Sequence, residues 1–372
     1  MKEKLQNWFL TNYRSLDKGI LYSCFILIVF GIFLTLSASP GVAERNHTGT
    51  FHFVSRHLIF LGPAVCVLFM TSFLSLKTIR ILCALVLAGS IMGMILVLLI
   101  GDTTKGAQRW ITLLGISVQP SEFAKPAFSV ISAWLLVSGR LMKNYFKDYS
   151  TAVFLFIIIL CLLFKQPDFG MVLTFFAIFV AQIFLAGFPW KYIVVLGGMG
   201  AGLIVTAYFT LNHVYERVNK FFNPVQGENF QVEKSMETLK NAGWFGKGPG
   251  EGIVKTELPD AHTDFIMAVS AEEFGFVLTA FLIGVFAFLI IRGFLLVRKE
   301  NNYFSQIALA GLLTQIAFQS IVNIASTLNL IPPKGMTLPF ISYGGSSLVS
   351  TGFALGIILA LTRRKNLCRG LE

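Results

Sequence analysis

Ten stretches of this chain are each apolar for close to twenty residues, and no other feature limits its fold so tightly. Crossing the roughly 30 Å hydrocarbon core of a bilayer takes about 20 residues of helix. The runs begin near Gly19, His57, Thr78, Glu122, Ser150, Phe169, Lys191, Asp264, Phe304 and Phe340. They predict an all-α polytopic membrane protein with ten transmembrane helices in one domain spanning residues 1–372. The fifth run, ending at Phe164, is short and is expected to tilt or to thin the bilayer locally. Charged residues make up 13% of the chain, against roughly 25% in a soluble domain. A soluble globular enzyme is therefore excluded.

The net charge of +11 would suggest a nucleic-acid partner in a soluble protein. Its distribution says otherwise. With a cytoplasmic N-terminus, the inner segments carry 17 Lys and Arg, while the outer loops other than the longest carry 6. That is the positive-inside pattern, which places both termini in the cytoplasm and leaves no case for nucleic acid. The longest outer loop, residues 213–263 between the seventh and eighth spans, mixes Gly, Asn and charge around an amphipathic piece at Gln231 to Leu239. Loops of this length are usually functional.

Several chemistries find no support. The five cysteines show no metal-ligand spacing, the five histidines show no HExxH-like pairing, and the N-terminus lacks the h-region of a cleaved signal peptide. GKGPGEG, Gly246 to Gly252, lacks the order of a phosphate-binding loop and is expected to be a flexible segment.

Ionisable groups are expensive inside a bilayer, so those beside apolar runs mark candidate sites. Nearly all fall on the outer side, in four clusters. In RWITLLGISVQPSEFAK, Pro120 opens a helix with Ser121 as a plausible cap, and Glu122 and Lys125 are i and i+3 on one face. They either form a self-compensating pair or, with Arg109 and Gln119, line a polar pocket. In KQPDFG, Asp168 either caps the sixth span or places a cation or hydroxyl.

In LPDAHTDFIMAVSAEEFGF, Asp264 lies at the mouth of the eighth span. Helical geometry puts Glu272 about 80 degrees round from it and Glu273 on the opposite side. Two carboxylates so deep in a span need donors, water or protons. In STLNLIPPKGMTLPFISYGGSS, Pro332, Pro333 and Pro339 prevent regular helix. Gly344, Gly345, Ser346 and Ser347 offer a close-packing or ligand-approach surface. Broken backbone at membrane depth must be buried in protein or line a wet cavity. Lys334 is there either as a snorkelling anchor or as an anion ligand.

In order along the chain, RWI with QPSEFAK, QPDFG, AGWFGKGPGEG, LPDAHTDF with AEEFGF, and LPFISYGGSS resemble the SEDS family (shape, elongation, division and sporulation), the FtsW and RodA polymerases of bacterial cell-wall synthesis. The resemblance covers essentially all ten runs. Lys334 and Thr337, in IPPKGMTLP, are similar to the division branch, where the elongation branch usually has an apolar residue and a proline. Asp260 departs from the Glu often found at its position.

The resemblance implies a peptidoglycan glycosyltransferase that polymerises lipid II on the outer face of the cytoplasmic (inner) membrane, at the division septum. Its partners would be the growing glycan strand, a class B penicillin-binding transpeptidase and other divisome proteins. It also implies that Asp264, in the HTDF motif, is the catalytic residue, here as general base. Expected substrate contacts are Arg109, Gln119, Ser121, Glu122, Lys125, Asp168, Arg217, Lys247, His262, Thr263, Glu272, Lys334 and Ser346. A divalent cation, Mg or Mn, is the one cofactor that a pyrophosphate leaving group would use, and no dedicated protein metal site is expected. A lipid II flippase, an elongation-type polymerase and a non-catalytic divisome scaffold are the competing readings.

Overall fold

The computed structural model describes residues 12–45, 47, 49–104, 107–113, 116–141, 145–210, 214–216, 218–219, 230–258, 260–332 and 335–363. Every apolar run forms a helix. In chain order these are α1 (Lys18–Arg45), α2 (His52–Ser72), α3 (Leu76–Ile100), α4 (Pro120–Leu141), α5 (Tyr145–Lys165), α6 (Phe169–Leu185) and α7 (Trp190–Thr210). Two short helices follow, α8 (Phe230–Lys240) and α9 (Val254–Glu257), and then α10 (Ile266–Lys299), α11 (Tyr303–Thr327) and α12 (Gly345–Leu361). Among the described residues, five helices, α1, α2, α3, α10 and α11, are long and apolar enough to cross a membrane, and shorter apolar helices cover Tyr149–Lys165, Phe169–Leu185 and Gly345–Leu361.

The fold is not purely helical. Between α3 and α4 lies a small antiparallel sheet, β1 (Asp102–Thr104), β2 (Ala107–Leu113) and β3 (Ile116–Val118), in the order β1-β2-β3. Asp102 pairs with Trp110, and Ile111 with Val118. The segment is rich in β-branched residues (Ile111, Thr112, Ile116, Val118) with a glycine between its halves, the composition of a hairpin. The long apolar runs on either side hid that signal.

Two helices begin later than their apolar runs. The eighth run becomes helical at Ile266, so Asp264 sits in the preceding turn, and the last run becomes helical at Gly345, beyond Pro339. The angular relation of Asp264 to Glu272 and Glu273 along one helix therefore does not hold. α10 is itself interrupted at Gly275, whose φ of 81° is non-helical.

α12 packs closely on α2, where glycine lets the backbones meet. A Cβ at Gly352 would collide with the carbonyl of Ala64, and one at Gly356 with Thr71 Oγ1. Small residues make such contacts without any hydrophobic drive between helices in lipid. Between α4, α6 and α11, Gln182 is fully buried and ties three helices: its Nε2 donates to the carbonyls of Ser129 (2.6 Å) and Ile307 (3.4 Å), and Ser132 donates to its Oε1 at 2.6 Å.

Candidate functional site

From Phe230 onward, the described part of the long loop is docked on the helices rather than a flexible strap. Gly246 and Gly275 both adopt positive φ (76° and 81°), and the backbones at these two points approach too closely for any side chain on either. There the segment before α9 pairs with the broken stretch of α10. Lys247 and Gly248 N–H groups donate to the carbonyls of Glu272 and Glu273, each at 2.9 Å, and Phe276 N–H donates to Gly243 at 3.0 Å. Carbonyls and amides released by the helix break are thus satisfied by the loop. The expected flexible GKGPGEG segment is instead fixed in place.

The two glutamates complete this docking. Glu272 is fully buried and accepts from the backbone N–H groups of Ile253 (3.0 Å), Val254 (3.0 Å) and Lys255 (2.9 Å), with Lys247 Nζ at 3.3 Å. Glu273 accepts from Gly250 N–H at 2.9 Å, and closely from Lys255 Nζ and from the Ser37 hydroxyl of α1. Burial pushes the Lys255 ammonium below the ordinary lysine range, and the charge of Glu272 draws it back up. The loop is also held by Arg45, which donates to the carbonyls of Glu257 (3.0 Å) and Leu258 (2.7 Å), and by Ser235, which donates to that of Thr327 at 3.1 Å. Glu272 and Lys247, both expected at the substrate, sit at this junction and bond to each other.

Asp264 lies on a different framework. The carbonyl of Asp260 accepts from the N–H groups of Thr263 and Asp264, each at 3.1 Å, and from the Thr263 hydroxyl at 3.1 Å. Asp260 takes a φ of 56° to make this turn, a conformation Asp tolerates better than most residues. The turn is clamped to the Pro-rich loop before α12. Tyr343 N–H donates to the His262 carbonyl (2.9 Å), and the Ser342 hydroxyl to that of Thr263 (2.6 Å). Asn323 Nδ2 spans the carbonyls of Asp264 (3.1 Å) and Met336 (2.7 Å).

The Asp264 side chain is half-buried and faces Gly335, where an added Cβ would lie 3.7 Å from Oδ2. His262 packs between Phe53 and Tyr343, with ring centroids 4.5 and 5.2 Å away. Asn323 and Ser342 went unsingled in the sequence. Asn323, a polar residue inside the apolar run IVNIA, was the readable signal.

A second cluster gathers around α4. Pro120 occupies the first position of the helix, which suits a residue without an N–H. Ser121 is not its cap: it lies one residue inside, with a buried hydroxyl that has no hydrogen-bond partner. Glu122 Oε2 and Lys125 Nζ form an ion pair at 2.8 Å, bent too far for a hydrogen bond, and the Lys125 side chain is completely buried.

Asp168 caps α6 by accepting from Met171 N–H at 3.3 Å, and it also receives Gln119 Nε2 at 3.1 Å and Arg109 at 3.6 Å. Burial pushes its carboxyl above the usual range, with Arg109 and the Met171 N–H pulling it down. Arg109 further donates to the carbonyls of Gln166 (3.4 Å) and, closely, Pro167. Its guanidinium thus holds the 166–168 turn while remaining partly exposed.

The N-terminal half of α12 joins the two clusters. Ser347 bonds Thr337, beside the Asp264 loop, at 2.5 Å, and Ser350 donates to the Glu122 carbonyl at 2.7 Å. Along this seam four groups are buried without a hydrogen-bond partner: Ser121 Oγ, Lys125 Nζ, Ser346 Oγ and, on α2, both ring nitrogens of His57. Buried polar atoms of this kind need an explanation, and a polar ligand is one. Arg217 and Lys334 lie outside the described residues. No three His, Cys, Asp or Glu side chains gather as a metal-ligand set among those described.

These features define a helical membrane protein whose polar groups meet where a broken loop, a helix mouth and a buried ion pair converge. The chain belongs to the FtsW/RodA/SpoVE cell cycle protein family, whose model matches residues 18–367. It is 40% identical over 350 residues (94% of this chain and 90% of the relative) to a protein of Caulobacter vibrioides named "Probable peptidoglycan glycosyltransferase FtsW". A protein of the same name from Trichlorobacter lovleyi is 35% identical, covering 93% of each chain.

Among solved structures, a chain from a study of polymerization and crosslinking by a peptidoglycan synthase complex superposes with a TM-score of 0.76 at 27% identity, covering 94% of this chain and 98% of that one. The rod shape determining protein RodA of Thermus thermophilus gives 0.69 at 26% identity, with the same coverage of each chain.

Proposed function

We propose that this protein is a peptidoglycan glycosyltransferase that polymerises lipid II at the outer face of the cytoplasmic membrane during cell division. In this reading all ten runs span the bilayer and both termini are cytoplasmic. The observation that carries it is the convergence of Asp264, held by its backbone on the Asn323 and Ser342 clamps, with the buried polar seam of Ser121, the ion-paired Lys125 and Ser346. The names of the relatives supply the substrate class. They also favour division over elongation, in line with Lys334 and Thr337.

Asp264 acts as general base, taking the proton from the C4 hydroxyl of the acceptor GlcNAc as that oxygen attacks the anomeric carbon of the donor. Undecaprenyl pyrophosphate leaves from the opposite face and the centre inverts. The leaving group gathers negative charge, and Lys125 supplies a buried cation whose attraction is strong in a dry site. Arg109 serves through the turn it holds under Asp168. The Mg or Mn expected as cofactor finds no protein ligand set among the described residues. A class B transpeptidase is the expected partner, supported by the synthase complex to which one structural neighbour belongs.

The test is polymerisation of labelled lipid II by the purified protein with its transpeptidase, read as glycan length, for wild type and Asp264→Asn. The substitution keeps the shape and removes the base, so polymer should vanish, a loss on the order of 10²-fold or more, while lipid II binding and the melting temperature stay. Equal polymer from both would remove Asp264 from the mechanism. No polymer from either would favour a flippase or a scaffold.

A further inference from the structure

At the end of the molecule away from the site, α1 and α10 leave an open furrow of about 390 Å³, lined by Gly19, Tyr22, Ile26, Phe281, Gly284 and Phe288. α1 itself measures the separation. It lines the furrow from Gly19 to Ile26, whereas its Ser37 bonds Glu273, and the 18 residues from Gly19 to Ser37 rise about 27 Å. The walls are apolar: Tyr22, Phe281 and Phe288 present exposed rings, and the Ser23 hydroxyl turns inward to the Gly19 carbonyl at 2.9 Å.

The furrow ends in charge. Phe288 and Arg292 are i and i+4 on α10, hence on one face. Arg292 reaches Asp17 at 2.8 Å, a carboxylate that would lie 3.2 Å from a Cβ on Gly19. Arg292 is only partly covered, and Lys18, the chain neighbour of Asp17, is exposed and set over the Tyr13 ring at 4.5 Å. Two cations against one carboxylate leave this rim positive.

We propose that the furrow is a binding site for an anionic phospholipid, one acyl chain lying along Gly284 between Tyr22 and Phe288 and the headgroup phosphate meeting Lys18 and Arg292. Charge complementarity selects this occupant. An apolar slot between two spanning helices takes a hydrocarbon chain, and a basic rim at its end takes a negative headgroup. A partner's apolar helix would gain nothing from that rim.

Gly284 provides the means to test it, because a Cβ there meets nothing within 4 Å. A large side chain can fill the furrow without pressing on the fold. Full-length protein equilibrated with equal phosphatidylglycerol and phosphatidylcholine should retain the former by roughly fivefold in native mass spectrometry, the weight of one basic side chain at a lipid surface.

Gly284→Phe should lose the retained lipid at an unchanged melting temperature, while Gly284→Ala keeps it. Lys18→Glu should keep a lipid but lose the preference for phosphatidylglycerol. Equal retention of both lipids by wild type, or lipid retained undiminished in Gly284→Phe, would overturn the proposal. Neither readout depends on glycan polymerisation, so the proposal and the enzymatic reading can fail separately.

Discussion

Asp264 and the Glu272–Glu273 pair lie within ten residues of one another, yet the structure employs them differently. Asp264 is half-buried, in a turn fixed through its backbone by Asp260, Asn323 and Ser342. Glu272 is fully buried, and its two oxygens receive three backbone amides and a lysine. Its Oε1 takes three of these donors and its Oε2 one, so the carboxylate is engaged in holding the loop. Asp264 is held instead through its main chain. Neighbouring carboxylates at the edge of a membrane can thus be held in different ways, one through its side chain and one through its backbone.

The sharpest division should come from Glu122→Ala and Glu272→Ala. Glu122→Ala leaves the completely buried Lys125 ammonium uncompensated. Removing one partner of such a pair costs roughly 3–5 kcal/mol, and displacing the cation from a leaving pyrophosphate should lower polymerisation on the order of 10²-fold. Lipid II turnover and thermal unfolding in detergent would measure the two losses. Wild-type turnover in a folded Glu122→Ala protein would end the role given to the ion pair.

Glu272→Ala strands three amides and Lys247. It should cost a similar roughly 3–5 kcal/mol and show first as protease cleavage between Gly243 and Lys255. Glu272→Gln, which keeps one carbonyl acceptor, should lose about half as much stability and retain polymerisation. A Glu272→Gln protein as stable as wild type but inactive would break the comparison, because it would place that carboxylate at the substrate.

The apolar runs made the helices legible, since hydrocarbon permits few other structures, and the resemblance of its motifs pointed to the family. Less legible was what each polar residue touches. AEEFGF reads as a helix with two costly charges. Its meaning depends on Gly275 breaking that helix and on a loop 25 residues upstream arriving with unpaired amides, which no local pattern encodes. Arg109 reads as a substrate contact beside a polar pocket, and only the folded chain shows that it also donates to the carbonyls of Gln166 and Pro167. The sheet that carries Arg109 was obscured for a related reason: its short alternation lies between two strongly apolar runs.

Gly275→Ala probes the break itself at a smaller expected effect. The φ of 81° with ψ near 180° belongs to a region that is essentially glycine's alone. Forcing a side chain into it costs roughly 1–3 kcal/mol, to which the collision of the new Cβ with Trp244 and Gly246 adds. Faster amide exchange at Lys247 and Gly248, with exchange in α11 unchanged, would show that the loop separates from the broken helix while the bundle persists. Uniform loss of protection across α10 and α11 would mean that the junction belongs to the core rather than to a separate cap.

The smallest effect is expected at Asp17, an acid that serves neither chemistry nor the loop. Burial alone would raise its carboxyl, but hydrogen bonds from Arg292 at 2.8 and 3.3 Å and the Ile20 N–H at 3.1 Å outweigh that and hold it below the usual carboxylate range. A carboxyl depressed in the folded state stabilises the fold above its unfolded value of about 3.9, and that contribution is lost as pH falls through the lower folded value. Between pH 7 and 5 the wild type and Asp17→Asn should differ by a constant amount of about 1 kcal/mol, as for a partly exposed pair. Below about pH 4 the difference should shrink towards zero as the wild-type carboxyl takes up its proton. A gap that widens on acidification would reverse the sign and show that Asp17 is destabilised by its burial rather than held by Arg292.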